Sequence, residues 1–275
     1  MAERLALIAG TGALVPEVID AARKKGFELK LLTLGRSGDL MGYEPVRFSL
    51  SRPQVAVEAI RAFGATRFAM AGGVSLSDVV REGLASFFGG GEKAGQSIGD
   101  TSISDLVRRL EDMTGARPMG VHEIAPELLA PEGVIGGPQP SEVVRATAVY
   151  ALSLARQAGA LDLGQAVVVA GKRAVAAEDI GGTDSLLRRV RWLRFKRLVA
   201  DGKASPLVLA KCPKPDQPLF IDLPAIGPRT VENARKSGVY AIVVAAGGTL
   251  LIQRHALKEA ADRLGVSVIG LPIDG

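Results

Sequence analysis

The chain has little cysteine, histidine or aromatic surface: one cysteine, Cys212, two histidines and 4% aromatic residues in 275. A single cysteine excludes an intrachain disulfide framework and a cysteine-rich zinc site. It also points to a reducing cytoplasm. His122 and His255 are far apart in sequence, which argues against a zinc hydrolase site built on paired histidines. The few aromatics offer little for stacking bases, no nucleic-acid module is recognisable, and no nucleic-acid partner is expected. No run approaches the roughly 18–20 apolar residues that a membrane span needs. The segment from Leu5 to Val15 is not read as a signal peptide, because Gly10, Thr11 and Gly12 interrupt it. Pro16-Glu17 then follows without a small-residue cleavage site.

Apolar residues make up 47% of the chain, as in an ordered globular protein, and the length suits one large or two modest domains. The net charge of +5 suits an anionic partner without choosing among nucleotide, lipid surface and nucleic acid.

The first half alternates strand-like and helix-like patterns. Strands are expected at Leu5–Ala9, Leu29–Leu34, Val46–Leu50 and Arg67–Ala71, and helices at Ala13–Lys25, Pro53–Phe63 and Ser102–Met113. Phe87–Gln96 reads as a loop. Such alternation favours a parallel sheet with helices on its faces. Gly136-Gly137-Pro138-Gln139-Pro140 is the clearest linker signal, after which Ser141 can cap a helix to about Gln157. In the second half a hairpin is expected across Gly171-Lys172, between strands at Gln165–Ala170 and Arg173–Glu178. Further strands are expected at Leu207–Lys211, Leu219–Asp222, Val239–Val244 and Val266–Gly270. Helices are expected at Leu186–Val199, Pro228–Ser237 and Ala256–Leu264. The fold class is therefore α/β. A Rossmann-like parallel-sheet domain spans residues 1–137 and a mixed α/β domain residues 138–275.

Gly10-Thr11-Gly12-Ala13 follows the first strand and opens a helix, where backbone NH groups can approach a phosphate. Val15 stands where a dinucleotide fingerprint needs its third glycine, and Leu34-Gly35-Arg36 brings no carboxylate for a ribose. An NAD-dependent oxidoreductase fails on both counts; a phosphate or ribose site and a plain tight turn both remain. Gly72 and Gly73 end another strand on the same edge. His122 is either a phosphate or sugar contact or a partly buried structural histidine, and His255 is expected on an exposed helix. Glu178 and Asp184 flank a Gly-Gly turn that also holds Thr183. Mg²⁺ commonly takes one or two carboxylates, with water and substrate phosphate completing its octahedron. The alternative is that Asp184 caps the next helix and Glu178 is solvated. Asp222 stands at an apolar strand end, where a carboxylate needs a metal or a cation. Lys211 ends a strand in Lys211-Cys212-Pro213-Lys214-Pro215, and Gly247-Gly248-Thr249 follows another. Arg188, Arg189, Arg191, Arg194, Lys196 and Arg197 alternate with Trp192, Leu193 and Phe195. That helix is able to lie on an anionic membrane surface or to grip a diphosphate; a solvated charged face is the third reading.

Taken in order, Leu7-Ile8-Ala9-Gly10-Thr11-Gly12-Ala13-Leu14, Ala71-Gly72-Gly73, Glu178-Asp179-Ile180-Gly181-Gly182-Thr183-Asp184, Ile221-Asp222-Leu223-Pro224-Ala225-Ile226-Gly227-Pro228 and Ala245-Ala246-Gly247-Gly248-Thr249 resemble one family. It is the UDP-2,3-diacylglucosamine pyrophosphatase family of lipid A biosynthesis, the type unrelated to metallophosphoesterases. The resemblance implies Mg²⁺-dependent attack of water on the α-phosphorus of UDP-2,3-diacylglucosamine, giving UMP and 2,3-diacylglucosamine 1-phosphate (lipid X). It implies a nucleotide-fold-like N-terminal domain and a separate C-terminal domain enclosing the substrate. It also implies a peripheral enzyme at the cytoplasmic face of the inner membrane of a Gram-negative bacterium. Asp222, Glu178 and Asp184 are the expected catalytic and metal residues. Gly10, Thr11, Gly12, Ala13, Gly72, Gly73, His122, Thr183, Arg188, Lys211, Gly248 and Thr249 are the expected substrate contacts. The family often has a glutamate where this chain has Gly181, so a site needing two acids there rests on Glu178 and Asp184. A homodimer is expected. The competing function is a non-catalytic nucleotide- or lipid-binding protein with a degenerate phosphate site.

Overall fold

The computed structural model describes residues 2–34, 37, 39–49, 52–73, 100–199, 202, 204–215 and 223–273, with only the backbone for 34 and 100–106. Asp222, the strand expected at Leu219–Asp222 and the loop expected at Phe87–Gln96 lie outside the described residues.

One compact unit runs to Glu127 and another begins at Leu128. In the first, β1 (Arg4–Ala9), β2 (Glu28–Leu34), β3 (Val46–Phe48), β4 (Arg67–Ala71) and β5 (Arg117–Pro118) form an all-parallel sheet in the order β3-β2-β1-β4-β5. From Leu5 to Ala9 every residue of β1 is buried. That continuous apolar run is what a parallel strand needs when helices cover both faces. Helix α1 (Leu14–Lys24) buries Leu14, Val15, Val18, Ile19 and Ala22, a stripe with the helical period. Helices α2 (Gln54–Phe63) and α3 (Asp100–Thr114) pack Val57, Ile60, Val107 and Leu110 against Ala6, Ile8, Leu32 and Phe68. Alternation along β1 sends Leu5 and Leu7 to the opposite face. Short α4 (Val121–Ile124) follows β5.

The second unit holds β6 (Gly133–Gly136), α5 (Glu142–Ala160), β7 (Ala166–Ala170), β8 (Arg173–Ala177), α6 (Gly182–Phe195), β9 (Leu207–Lys211), β10 (Ala225–Ile226), α7 (Pro228–Lys236), β11 (Ala241–Ala245), β12 (Leu250–Leu251), α8 (Arg254–Leu264) and β13 (Ser267–Leu271). Its six-stranded sheet has the order β6-β13-β11-β9-β7-β8. Strands β9, β11 and β13 are parallel; β6 and β7 run against their neighbours, and β8 against β7. Strand period separates the two faces. Val168, Leu207, Leu209, Ile242 and Val244 pack with α6, α7 and α8 residues, whereas Val167, Val169, Val208, Ala210 and Val243 pack under α5. The fold is thus a parallel-sheet unit followed by a mixed α/β unit.

Three local expectations change. Residues 136–140 do not form a free linker. Strand β6 pairs antiparallel with β13, the Gly137 amide donates to Asp262 Oδ1 at 2.7 Å, and Ser267 Oγ donates to the Pro138 carbonyl at 2.7 Å. All of these partners belong to the second unit. Helix α6 begins at Gly182, so the Gly-Thr-Asp stretch is its first turn. Pro53 is the N-cap of α2, one position ahead of the helix. Ser141 caps α5 as expected, its Oγ accepting from the Val144 amide at 3.4 Å.

The loops after β1 and β4 clasp each other. Gly10 N donates to Ala71 O at 2.8 Å, Thr11 N to Gly73 O at 2.9 Å, and Gly73 N to Thr11 O at 2.8 Å. A Cβ on Gly10 would stand 2.6 Å from Gly73 O. We therefore expect Gly10→Ala to lower stability by about 1–3 kcal/mol, the usual cost of overpacking. Urea denaturation measures it, and an unchanged midpoint would show that the loops separate at no cost.

Candidate active site

In both units the parallel strands end in polar loops, and open α/β sheets bind ligands at the carboxyl ends of their strands. In the second unit that edge is built from β7, β8 and β9. Ala166 lies opposite Lys211, and Glu178, just after β8, donates its amide to Ala166 O at 2.8 Å. Gln165, Glu178 and Lys211 are therefore neighbours, and the first turn of α6 adds Thr183.

These residues form one hydrogen-bonded chain. The Gln165 amide donates to Glu178 Oε2 at 2.9 Å. Thr183 Oγ1 donates to Glu178 Oε1 at 2.6 Å. Lys211 Nζ donates to Thr183 Oγ1 at 3.0 Å and to the Ala225 carbonyl at 3.1 Å. Glu178, Thr183 and Lys211 are all half-buried. An ammonium carries three donors, and two are accounted for among the described residues. These two bonds hold the head in one position. The glutamate is oriented through both oxygens. Gly164 permits this: its φ is +117°, and a Cβ there would lie 2.9 Å from Glu178 O. Gly164, the Gln165 amide and the Ala225 carbonyl were not singled out from the sequence. The glycine preceding a strand was the one available signal, since backbone partners leave no mark on residue type.

Asp184 sits elsewhere. Its Oδ1 accepts from Asn233 Nδ2 at 2.9 Å and its Oδ2 from Arg229 Nη2 at 3.4 Å. It is exposed and ties the first turn of α6 to α7. Gly181 is the N-cap of α6, with no side-chain cap. Glu178 and Asp184 thus engage separate protein donors. Among the described residues no group of three or more His, Cys, Asp or Glu side chains is placed to hold a metal ion.

Cys212, beside Lys211, is fully buried, and burial pushes its thiol up to about 11. It stays protonated at neutral pH and is no nucleophile. Gly248 packs against Pro213 and Ile273. Thr249 is fully buried, and its hydroxyl has no partner among the described residues. Arg188 lies on the exposed side of α6.

In the first unit the strand order reverses between β1 and β4, and Gly10–Ala13 and Gly72-Gly73 follow those two strands. Gly10 and Gly72 serve the contact between the loops: a Cβ on Gly72 would stand 2.7 Å from Thr11 O. Gly12 is open, with φ +102° and nothing within 4 Å of a Cβ there. Ala13, the N-cap of α1, brings no side-chain cap to the first amides of that helix. Met119 N donates to Phe68 O at 2.8 Å, which carries the chain along β4 toward His122. Among the described residues, buried His122 Nδ1 has no hydrogen-bond partner, and neither has Thr33 Oγ1 near the end of β2. Thr33 was missed from the sequence because a threonine in an apolar strand reads as core. His255 is on the surface beside Glu259, at 3.2 Å.

Comparison with known proteins covers nearly the whole chain. A family model described as the LpxI N-terminal domain matches residues 4–128, and one described as the LpxI C-terminal domain matches residues 131–269. A protein of Caulobacter vibrioides named UDP-2,3-diacylglucosamine pyrophosphatase LpxI is 32% identical over 278 residues. The match spans 98% of this chain and 97% of that protein.

The two acidic contacts differ in expected worth. Thr183→Val leaves Glu178 Oε1 and Lys211 Nζ each short of a partner, at a cost of about 1–3 kcal/mol. Asp184→Asn alters an exposed pair, and its effect should stay within about 1 kcal/mol. Chemical denaturation of both variants checks this, and equal losses would refute the chain as the tighter element.

Proposed function

The chain belongs to the LpxI family, and on that ground we propose that it hydrolyses the diphosphate of UDP-2,3-diacylglucosamine to UMP and 2,3-diacylglucosamine 1-phosphate. The observation that carries the chemistry is the chain from the Gln165 amide through Glu178 and Thr183 to Lys211. Water forms the new bond at the α-phosphorus. The bond that breaks joins that phosphorus to the bridging oxygen, which leaves with the sugar 1-phosphate. Negative charge grows on the bridging oxygen as the bond opens. A prepositioned ammonium stabilises that charge without reorganising during the reaction. Glu178 does not touch substrate in this reading; it fixes Thr183, and Thr183 fixes Lys211. In the first unit, taken by itself, Gly12 with the start of α1 suits a phosphate. The Thr33 hydroxyl and His122 Nδ1, buried and without a partner among the described residues, suit ribose or base.

Mg²⁺ is the proposed cofactor on the resemblance alone. An ion carried by the substrate diphosphate would supply charge neutralisation, and no step here passes through it. Asp222 remains the proposed catalytic acid–base or metal group from its place in the Asp-Leu-Pro element. A doubly acylated product suits a peripheral enzyme at the cytoplasmic face of the inner membrane. No helix among the described residues is long and apolar enough to cross a membrane. Assembly as a homodimer is also proposed.

Purified protein with UDP-2,3-diacylglucosamine in detergent micelles should release UMP. EDTA should stop the release and added Mg²⁺ restore it. Undiminished turnover in EDTA would remove the metal from the proposal, and no turnover under any condition would leave a binding protein.

Lys211→Met should fold and lose roughly 100-fold or more in kcat, the range seen when a donor to a developing oxyanion is removed. Asp222→Ala should lose at least as much, with the melting temperature nearly kept. Near-normal turnover in either folded variant would sink that residue's assignment.

A further inference from the structure

Helix α6 carries two incompatible faces. Leu186, Leu187 and Val190 are buried beneath it. At 3.6 residues per turn, Arg188, Trp192 and Phe195 fall together on the side opposite Val190. Arg191 flanks them on one side, and Arg189 and Lys196 on the other. Trp192 is 53% exposed and Phe195 78%, and Leu198 just beyond the helix is 60% exposed. Lys196 Nζ stands 5.9 Å from the centre of the Phe195 ring. Between residues 182 and 199 there are six basic residues, and Asp184 is the one acid. Arg194 is not part of this face. Its guanidinium packs on the Gly238 turn, where a Cβ would come within 2.1 Å of it.

A solvated helix face has no use for an exposed tryptophan and phenylalanine side by side. A protein partner would have to match a dense one-signed charge as well as the rings. Aromatic side chains centred between cations have a direct counterpart in the boundary of an anionic bilayer. There the rings enter the level of the head groups and the cations meet lipid phosphate. We propose that this outward face of α6, centred on Trp192 and Phe195 and bordered by Arg188, Arg189, Arg191 and Lys196, docks the chain on an anionic lipid bilayer. The docking rests on the helix alone. Its use, access to a doubly acylated substrate, rests on the reading given above. The first turn of the same helix holds Thr183 on the side opposite this face, so docking would set the candidate site about one helix diameter from the lipid surface.

The chain carries its own reporter, since Trp192 is its one tryptophan. The full-length protein is titrated with phosphatidylcholine vesicles, with and without phosphatidylglycerol, and tryptophan emission is followed. Emission should move to shorter wavelength with the anionic vesicles alone, and salt should reverse the shift. Each cation near such a surface strengthens binding by about fivefold. The double variant Arg191→Gln/Lys196→Gln should therefore need roughly 30-fold more lipid for the same shift. Phe195→Ser should bind more weakly while keeping the reporter. Hydrolysis in detergent micelles should be unchanged in these variants. Absence of a shift with anionic vesicles, or equal binding by the double variant, overturns the proposal. So does a raised KM in micelles with unchanged vesicle binding, which would assign the cations to the diphosphate. Vesicle binding without hydrolysis would instead defeat the enzymatic reading and leave the docking face standing.

Discussion

Parallel strands covered on both faces leave only their ends for polar chemistry. Leu5–Ala9 and Ala241–Ala245 are buried residue after residue, and helices lie on either side of the second unit's sheet. An unpaired polar group inside such a layer would cost more than one or two contacts return. Lysine, threonine and glutamate therefore collect where the strands stop. Strand β9 shows the rule within five residues: four buried apolar side chains and then Lys211 at the edge.

A half-buried ammonium is tolerated when its partners are placed before it arrives. Lys211 meets a hydroxyl from a helix and a carbonyl from a neighbouring short strand. The hydroxyl is in turn held by a glutamate whose other oxygen is taken by a strand amide. Two groups from opposite sides of Lys211 in sequence, Thr183 and Ala225, meet on one cation. Loss of any member loosens the others, so the arrangement contributes to stability and orientation together. Asp184, six residues from Glu178, takes part in a different contact that joins two helices at the surface.

Helix α6 links these themes. Its inner residues belong to the core of the second unit, its first turn supplies Thr183, and its outer face gathers cations around two exposed rings. One helix thus serves packing, the polar chain and a cationic surface with two exposed rings.

The sequence by itself determined the α/β class, most strand and helix positions and the family. These rest on local periodicity and on contiguous motifs, which survive without knowledge of what lies across the fold. It also pointed to Glu178, Thr183 and Lys211, because polar residues stand out at the ends of apolar runs. Only the tertiary structure decided which of these meet. Whether Glu178 turns toward Thr183 or toward Asp184 depends on where α6 begins and where β9 ends, and both depend on the packed sheet. The packing of Gly10 was visible only in the folded chain. A glycine that admits a ligand and one that admits another loop read alike in sequence, and it took the tertiary structure to show that a Cβ on Gly10 would stand 2.6 Å from Gly73 O.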